Sequence, residues 1–505
     1  MTLDVCPSVK GAQTERGASW ISPRLLLLFS SLIVMVFSRE GSDQAAIRVG
    51  ALLVAAASTG VALFGTRVVV DRDRLRRAER ALVFSLLVLG LISTAGLLAQ
   101  ACAKPPSSLW LTLTSVYTIL GLIATRLLVR RPPHLKWILP LLLLAYAAIT
   151  IFFLRSAASH QDVQVFLRDG SDALLHGSNP YSMTFPYIFK SHSTEMFYGP
   201  GVVIDGRITY GFPYLPVSLL VAIPGHLLGD VRYSQLIAML ITALVLRRLA
   251  SDSIGRAAAV LGVAAPTAIP MLTGAWTEPT LVALLACLVL ALERRRYVFV
   301  AVFLGLFLVS KQYVMIAIPA FWLIRAWLTP RVIFIGVGLA AAVTLPFFAV
   351  DPAAFWKAIV QYQLIQPFRA DSVSLLVSSE NTFGWPPPWT YGVLPLFGGG
   401  LTAIALALRA PRTPAAFAAA IGLTLLVTVL LSKQAFMNYY FLVSGAFLIA
   451  AVAWPTQPGP ATRTVRDRKL DDYPWDGLMV TTTTCPPTMV TDPSTVQALA
   501  SDLLE

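Results

Sequence analysis

HQDVQVFLRDGSDALLHGSNPYSMTFPYIF, residues 160–189, opens the longest departure from membrane-grade hydrophobicity before residue 351. The departure continues through FYGPG (197–201), YGFPYLP (210–216) and GDVRYS (229–234). From His160 to Arg232 it holds four of the five histidines, five aspartates and ten aromatic rings. The chain upstream is a series of apolar runs separated by basic hinges. The stretch therefore reads as a polar, aromatic-rich loop that apolar spans deliver to one side of a bilayer.

Composition agrees with that reading. The 505 residues are 56% hydrophobic and only 13% charged, against about 25% charged in soluble domains, and mean hydropathy is +0.70. The net charge of +13 is no nucleic-acid footprint, because Lys and Arg cluster between apolar runs of spanning length, as on the cytoplasmic side of membrane proteins. Cys6, Cys102, Cys287 and Cys485 fall at no metal-site spacing. Only Cys102 is expected on the outer side, so no internal disulfide is expected.

Charge fixes an expected topology. Residues 1–22 form a cytoplasmic tail, and the run LLLLFSSLIVMVF (25–37) reads as a retained first helix rather than a cleaved signal peptide. Further spans at about 46–65, 81–101, 109–127 and 137–154 alternate with the arginine-rich hinges TRVVVDRDRLRRAER (66–80) and RLLVRRPPHLK (126–136). The N-terminal transmembrane region thus covers 23–154, and 155–232 is an extracytoplasmic catalytic loop with membrane-surface helices, YLPVSLLVAIPGHLLGD (214–230) among them. A transmembrane core follows at 233–350, with outward turns at Glu278 in TGAWTEPT and at Ser310-Lys311-Gln312. A second extracytoplasmic loop covers 351–390, and further spans fill 391–454 with a turn at Ser432-Lys433-Gln434. Residues 455–505, rich in Pro, Thr and charge, are expected to be a disordered cytoplasmic tail. The expected fold is an all-α polytopic membrane protein of about fourteen helices, both termini in the cytoplasm and two large loops outside.

The polar groups on the outer face are Asp162, Arg168, Asp169, Asp172, Glu278, Lys311, Arg369, Asp371 and Lys433. Lys311 and Lys433 stand between apolar runs, where a charge needs a partner or the interface. The tripeptide SKQ recurs at both of their turns. His160, Asp162, His176 and His192 offer imidazole and carboxylate ligands, but at irregular spacing; no metal is assigned.

Two loop patterns resemble the GT-C superfamily of multi-pass glycosyltransferases that use polyprenyl-phosphate sugars. The first is an outward Asp soon after a span, then an aromatic and G-x-N-P-Y: Asp162, Phe166, Gly177, Asn179, Pro180 and Tyr181. The second is Y-x-P, an amphipathic stretch, a Gly and an Arg: Tyr214, Pro216, Gly229 and Arg232. SKQYVMIAIP (310–319) is similar to a lysine-bearing helix end of that family. The resemblance covers about 155–325, and four extra spans precede the Asp here. It implies a transferase of the polyprenol-phosphate-mannose-dependent kind, in the cytoplasmic membrane, carrying a hexose or pentose to an extracytoplasmic glycan, lipid or protein acceptor.

Glycosyl transfer needs a base for the acceptor hydroxyl and cations for the departing phosphate. Asp162 is the expected base, with Asp169 and Asp172 behind it. Lys311, Arg232, Arg369 and Lys433 are expected to hold the lipid phosphate. Asn179, Tyr181, Tyr214, Trp276 and Glu278 are candidates for sugar or acceptor. No cofactor is assigned, a divalent metal is left as the alternative, and no glycine-rich phosphate loop is evident. Two other classes fit the helix count: a major-facilitator-type transporter, given DRDRLRR (71–77), and a non-catalytic envelope-assembly subunit.

Overall fold

Four helices begin with the same two-residue device, a capping side chain followed by proline. Ser22, Thr329, Asp351 and Thr413 each accept a hydrogen bond from the amide three residues on. A proline then occupies the first helical position, where its missing N–H costs nothing. These pairs start the helices Pro23–Phe37, Pro330–Val350, Pro352–Trp356 and Pro414–Leu430. The structure, a computed structural model, describes residues 22–38, 45–64, 74–85, 87–88, 137–156, 161–189, 197–265, 267–384 and 392–455. All of these lie in the first of two compact units, Met1–Thr456.

The bundle is built around the apolar helix Glu278–Glu293, which packs on Arg232–Leu249, Tyr297–Leu308 and Met437–Ala453. Small residues permit the close approaches, as expected where helices associate by van der Waals packing. A Cβ on Gly422 would stand 2.6 Å from the Phe447 ring, and one on Gly445 would stand 2.7 Å from Val282. The first helix, Pro23–Phe37, packs against both Ala45–Phe64 and Met437–Ala453. Its Ser31 hydroxyl donates to the Ser444 carbonyl at 3.0 Å.

The two ends of the bundle differ in chemistry. At one end the basic hinges meet: Arg24 pairs with Asp252 at 2.8 Å, Ser22 donates to Glu79, and Arg294 reaches the Arg248 carbonyl. At the other end Lys311 and Asn438 both donate to Glu278, and the neighbouring Gln312 bonds both polar loops.

The described residues do not reach the expected count of about fourteen spanning helices. Among the described residues three helical stretches, Ala46–Phe64, Ser253–Thr273 and Pro330–Val350, are long and apolar enough to cross a membrane. The pair Pro216–Leu227 and Arg232–Leu249, bent by 106°, makes up to four. Other apolar helices have 10–17 residues. Tyr297–Leu308, for example, stops at Val309 before a 3₁₀ helix, Gln312–Ile324. The spans expected at 81–101 and 109–127 lie outside the described residues, except for 81–85 and 87–88.

The two polar loops, separate in the sequence, share one hydrophobic core. Val163, Phe166, Tyr181, Phe185, Tyr198 and Phe212 of the first loop pack with Phe355, Ile359 and Tyr362 of the second. The first loop also holds a three-stranded antiparallel sheet, Phe185–Pro186 beside Arg207–Ile208 beside Val203–Ile204. The second loop carries helical segments among its described residues: Pro352–Trp356, a π-helical turn Lys357–Gln361, Tyr362–Ile365 and Leu375–Phe383. Gly211, at φ +70°, brings its backbone so near the Tyr181 carbonyl that a Cβ would stand 2.1 Å from the oxygen. Only glycine satisfies both the angle and the space.

Candidate active site

Asp162 is the first residue of the helix Asp162–Leu175, whose opening amides lack partners within the helix and favour a negative charge. Its Oδ2 accepts a 2.5 Å hydrogen bond from the hydroxyl of Tyr198, which is only 2% exposed. Asp162 itself is half-buried. Burial pushes its carboxyl above the ordinary range, while the Tyr198 hydroxyl, the Val163 amide and the Arg369 charge pull it part of the way back.

Tyr214 connects this carboxylate to a second cluster. Its hydroxyl is pushed well up by burial, then by the negative fields of Asp162 and, more weakly, Glu278. The Lys311 ammonium lies 4.4 Å from the centre of the Tyr214 ring. Lys311 also donates to Glu278 Oε1 at 2.6 Å, with Glu278 fully buried and Lys311 3% exposed. Asn438 Nδ2 at 2.9 Å and the Tyr313 hydroxyl at 3.3 Å converge on the same oxygen. The backbone explains the placement. Lys311 is extended in the break before the 3₁₀ helix, and Glu278 opens its own helix after Ala275, a buried residue held at φ +55°. The amide of Val217 and the hydroxyl of Ser218, at the start of Pro216–Leu227, donate to the carbonyls of Val309 and Ser310. One helix end thus satisfies the other.

Arg369 is the cation whose field acts on Asp162. It forms a two-pronged pair with Asp371, Nε–Oδ1 at 2.8 Å and Nη2–Oδ2 at 2.6 Å. Phe197 and Phe436 lie 4.6 and 4.7 Å from the guanidinium carbon, a stacked geometry that arginine supports and lysine does not. Among the described residues its Nη1 has no hydrogen-bond partner. Lys433 is half-buried and donates to the Leu364 carbonyl at 2.9 Å.

The repeated SKQ tripeptide acts alike through its glutamines and differently through its lysines. Gln312 donates to the carbonyls of Pro213 and Ile359, and Gln434 to Gln366 Oε1 and the Pro367 carbonyl. Both therefore pin the second loop. Lys311 turns inward to Glu278 and Lys433 outward to the loop backbone.

Several sequence candidates are engaged elsewhere. Asn179 builds an Asx turn, its Oδ1 accepting from the Tyr181 amide at 3.1 Å and its Nδ2 donating to Ser182. Tyr181 is 2% exposed, and its hydroxyl donates to the Tyr214 carbonyl at 2.8 Å. Asn179 thus shapes the turn that carries Tyr181, and Tyr181 braces the Tyr214 backbone. Asn179→Ala is accordingly expected to cost about 1 kcal/mol, read as a lowered thermal-unfolding midpoint. Arg232 binds Asp230 through Nε and Nη2 and the Leu154 carbonyl through Nη2, bracing the bent helix pair. Asp169 pairs with exposed Arg168, and Asp172 is exposed beside His176 and His226. Trp276 is half-buried between the bundle core and the loop core. His160 and His192 lie outside the described residues.

Tyr198, Asn438 and Tyr313 are bonded to candidate residues without having been candidates themselves, and Asp371, noted only as an outer polar group, pairs with Arg369. Asn438, the one strongly polar side chain in the apolar helix Met437–Ala453, carried a legible signal. Tyr198 did not stand out among ten aromatic rings.

No protein-family model matches the chain, and no curated protein sequence matches it significantly. A similar solved structure is the crystal structure of ArnT from Cupriavidus metallidurans bound to undecaprenyl phosphate, at 17% identity and a TM-score of 0.38. The match covers 63% of this chain and 60% of that one, so the chain spans less than two thirds of ArnT's length.

Proposed function

We propose that the protein is a membrane glycosyltransferase moving a hexose or pentose, by resemblance mannose, from a polyprenyl phosphate to an acceptor hydroxyl outside the cytoplasmic membrane. The observation that carries this reading is the placement of Asp162. Its half-buried carboxylate, with a raised pKa, is held by Tyr198 and faced by Arg369, where both polar loops cover the apolar bundle. The motif resemblance of the first loop points to the same residue.

Asp162 takes the proton of the acceptor hydroxyl as its oxygen attacks the anomeric carbon. The bond from that carbon to the phosphate oxygen breaks, and the electron pair leaves with the polyprenyl phosphate. Arg369 Nη1 supplies the donor for the growing phosphate charge, with Lys433 nearby through the Arg369 amide bond to the Lys433 carbonyl. Lys311, neutralised by Glu278, contributes a local dipole more than a net charge. A single displacement inverts the anomeric centre.

The test is transfer by membranes of the source organism, which supply native acceptors, from a panel of labelled polyprenyl-phosphate sugars. Transfer that follows expression of the protein supports the reading. Absence of transfer from every donor would remove it, and solute uptake would then become the relevant assay.

The pH dependence has a fixed sign. Asp162 acts as a base only when ionised, so activity falls as pH drops through its pKa, which lies above the ordinary carboxylate value. Tyr198→Phe removes a donor that stabilises the carboxylate. The acid limb of kcat/KM is therefore expected to move to higher pH in that variant. An unmoved limb would assign it to another group.

A further inference from the structure

Glu278 is unevenly satisfied. Its Oε1 receives three donors, from Lys311, Asn438 and Tyr313, whereas Oε2 is buried without a hydrogen-bond partner among the described residues. The Thr277 hydroxyl, the next side chain in sequence, is also buried and unpartnered. A carboxylate oxygen enclosed without a donor is costly, and native proteins rarely leave one so. Glu278 is bonded to Lys311, whose ammonium also lies 4.4 Å from the centre of the Tyr214 ring.

We infer that Glu278 Oε2 and Thr277 Oγ1 together receive one hydroxyl of the donor sugar, and so read the configuration of that sugar. A hydroxyl is donor and acceptor at once; it donates to the carboxylate and accepts from threonine, leaving neither orphaned. The inference rests on the glycosyltransferase reading and deepens it, since it names the part of the donor that the bundle reads. The three residues on Oε1 matter as well. Asn438 and Tyr313 fix the carboxylate plane, and Lys311 holds its charge, so Oε2 has one orientation. A sugar hydroxyl that points elsewhere leaves both protein groups unpaired, and a site of that kind discriminates strongly.

The experiment is a cycle between protein and substrate. Labelled polyprenyl-phosphate mannose and its monodeoxy analogues are compared in wild type, Glu278→Gln and Thr277→Val, all as the full chain in membranes. In wild type one deoxy position is expected to lower kcat/KM by roughly 10- to 100-fold. That penalty should shrink several-fold in both variants at the same position only. Because each penalty is a ratio within one variant, differences in folded amount cancel. If Glu278→Gln does not accumulate, the double variant Glu278→Gln, Lys311→Met removes the unpaired ammonium and serves instead. Equal penalties in wild type and variants at every position would overturn the inference while leaving the glycosyltransferase reading intact. Absence of transfer from any polyprenyl-phosphate sugar by wild type would overturn both.

Discussion

Asp162→Asn is expected to lower sugar transfer by roughly 10²- to 10⁴-fold with little change in the unfolding midpoint. The amide keeps the size of the carboxyl and can still accept the Tyr198 hydroxyl, but it takes no proton. Burial already disfavours the charged form at this position, so a neutral replacement carries little cost. Initial rates at matched expression make the comparison. Rates within a few-fold of wild type would remove Asp162 as the base. They would also leave few replacements, because Asp169 is paired with Arg168 and Asp172 lies exposed beside two histidines.

Lys311→Met is expected to destabilise the protein by about 3–5 kcal/mol, the largest stability effect of any substitution considered. The reason is what remains. Glu278 is fully buried, and without the ammonium its charge depends on Asn438 and Tyr313 alone. Removing both members leaves no uncompensated charge, so the double variant Lys311→Met, Glu278→Gln should recover most of the loss. Thermal unfolding of wild type, the single and the double variant decides the matter. A double variant no more stable than the single would mean that the two groups do not compensate each other.

Much of the architecture was legible because a bilayer permits few solutions. Apolar runs and basic hinges were sufficient to place turns at Glu278, Lys311 and Lys433, and helices do break at those residues. Helix lengths were not legible. Hydropathy averages over a window and does not register that the chain at Ser310-Lys311 turns extended, or that Ser253–Thr273 is segmented. The site was legible by residue type and less so by partner. Lys311 was expected to meet a phosphate because a cation among apolar residues needs an anion. The anion it meets is Glu278, 33 residues earlier in the chain. Arg232 likewise reads as a phosphate ligand until Asp230, two residues away, takes its guanidinium. Asn179 and Tyr181 drew notice as members of a motif, and that motif builds a turn. Long-range pairings of this kind have no local signature, which is why residue identity outran residue role.

The bond from Ser31 to Ser444 spans 413 residues and sets an order on biogenesis. The helix Pro23–Phe37 is made before Met437–Ala453, yet one of its packing faces belongs to that helix. During synthesis that face must wait in lipid, or against the insertion machinery, while some 400 residues are threaded in. Closure of that face thus follows synthesis of Met437–Ala453. A chain halted before Met437 would hold the helix Pro23–Phe37 without its neighbour on that side.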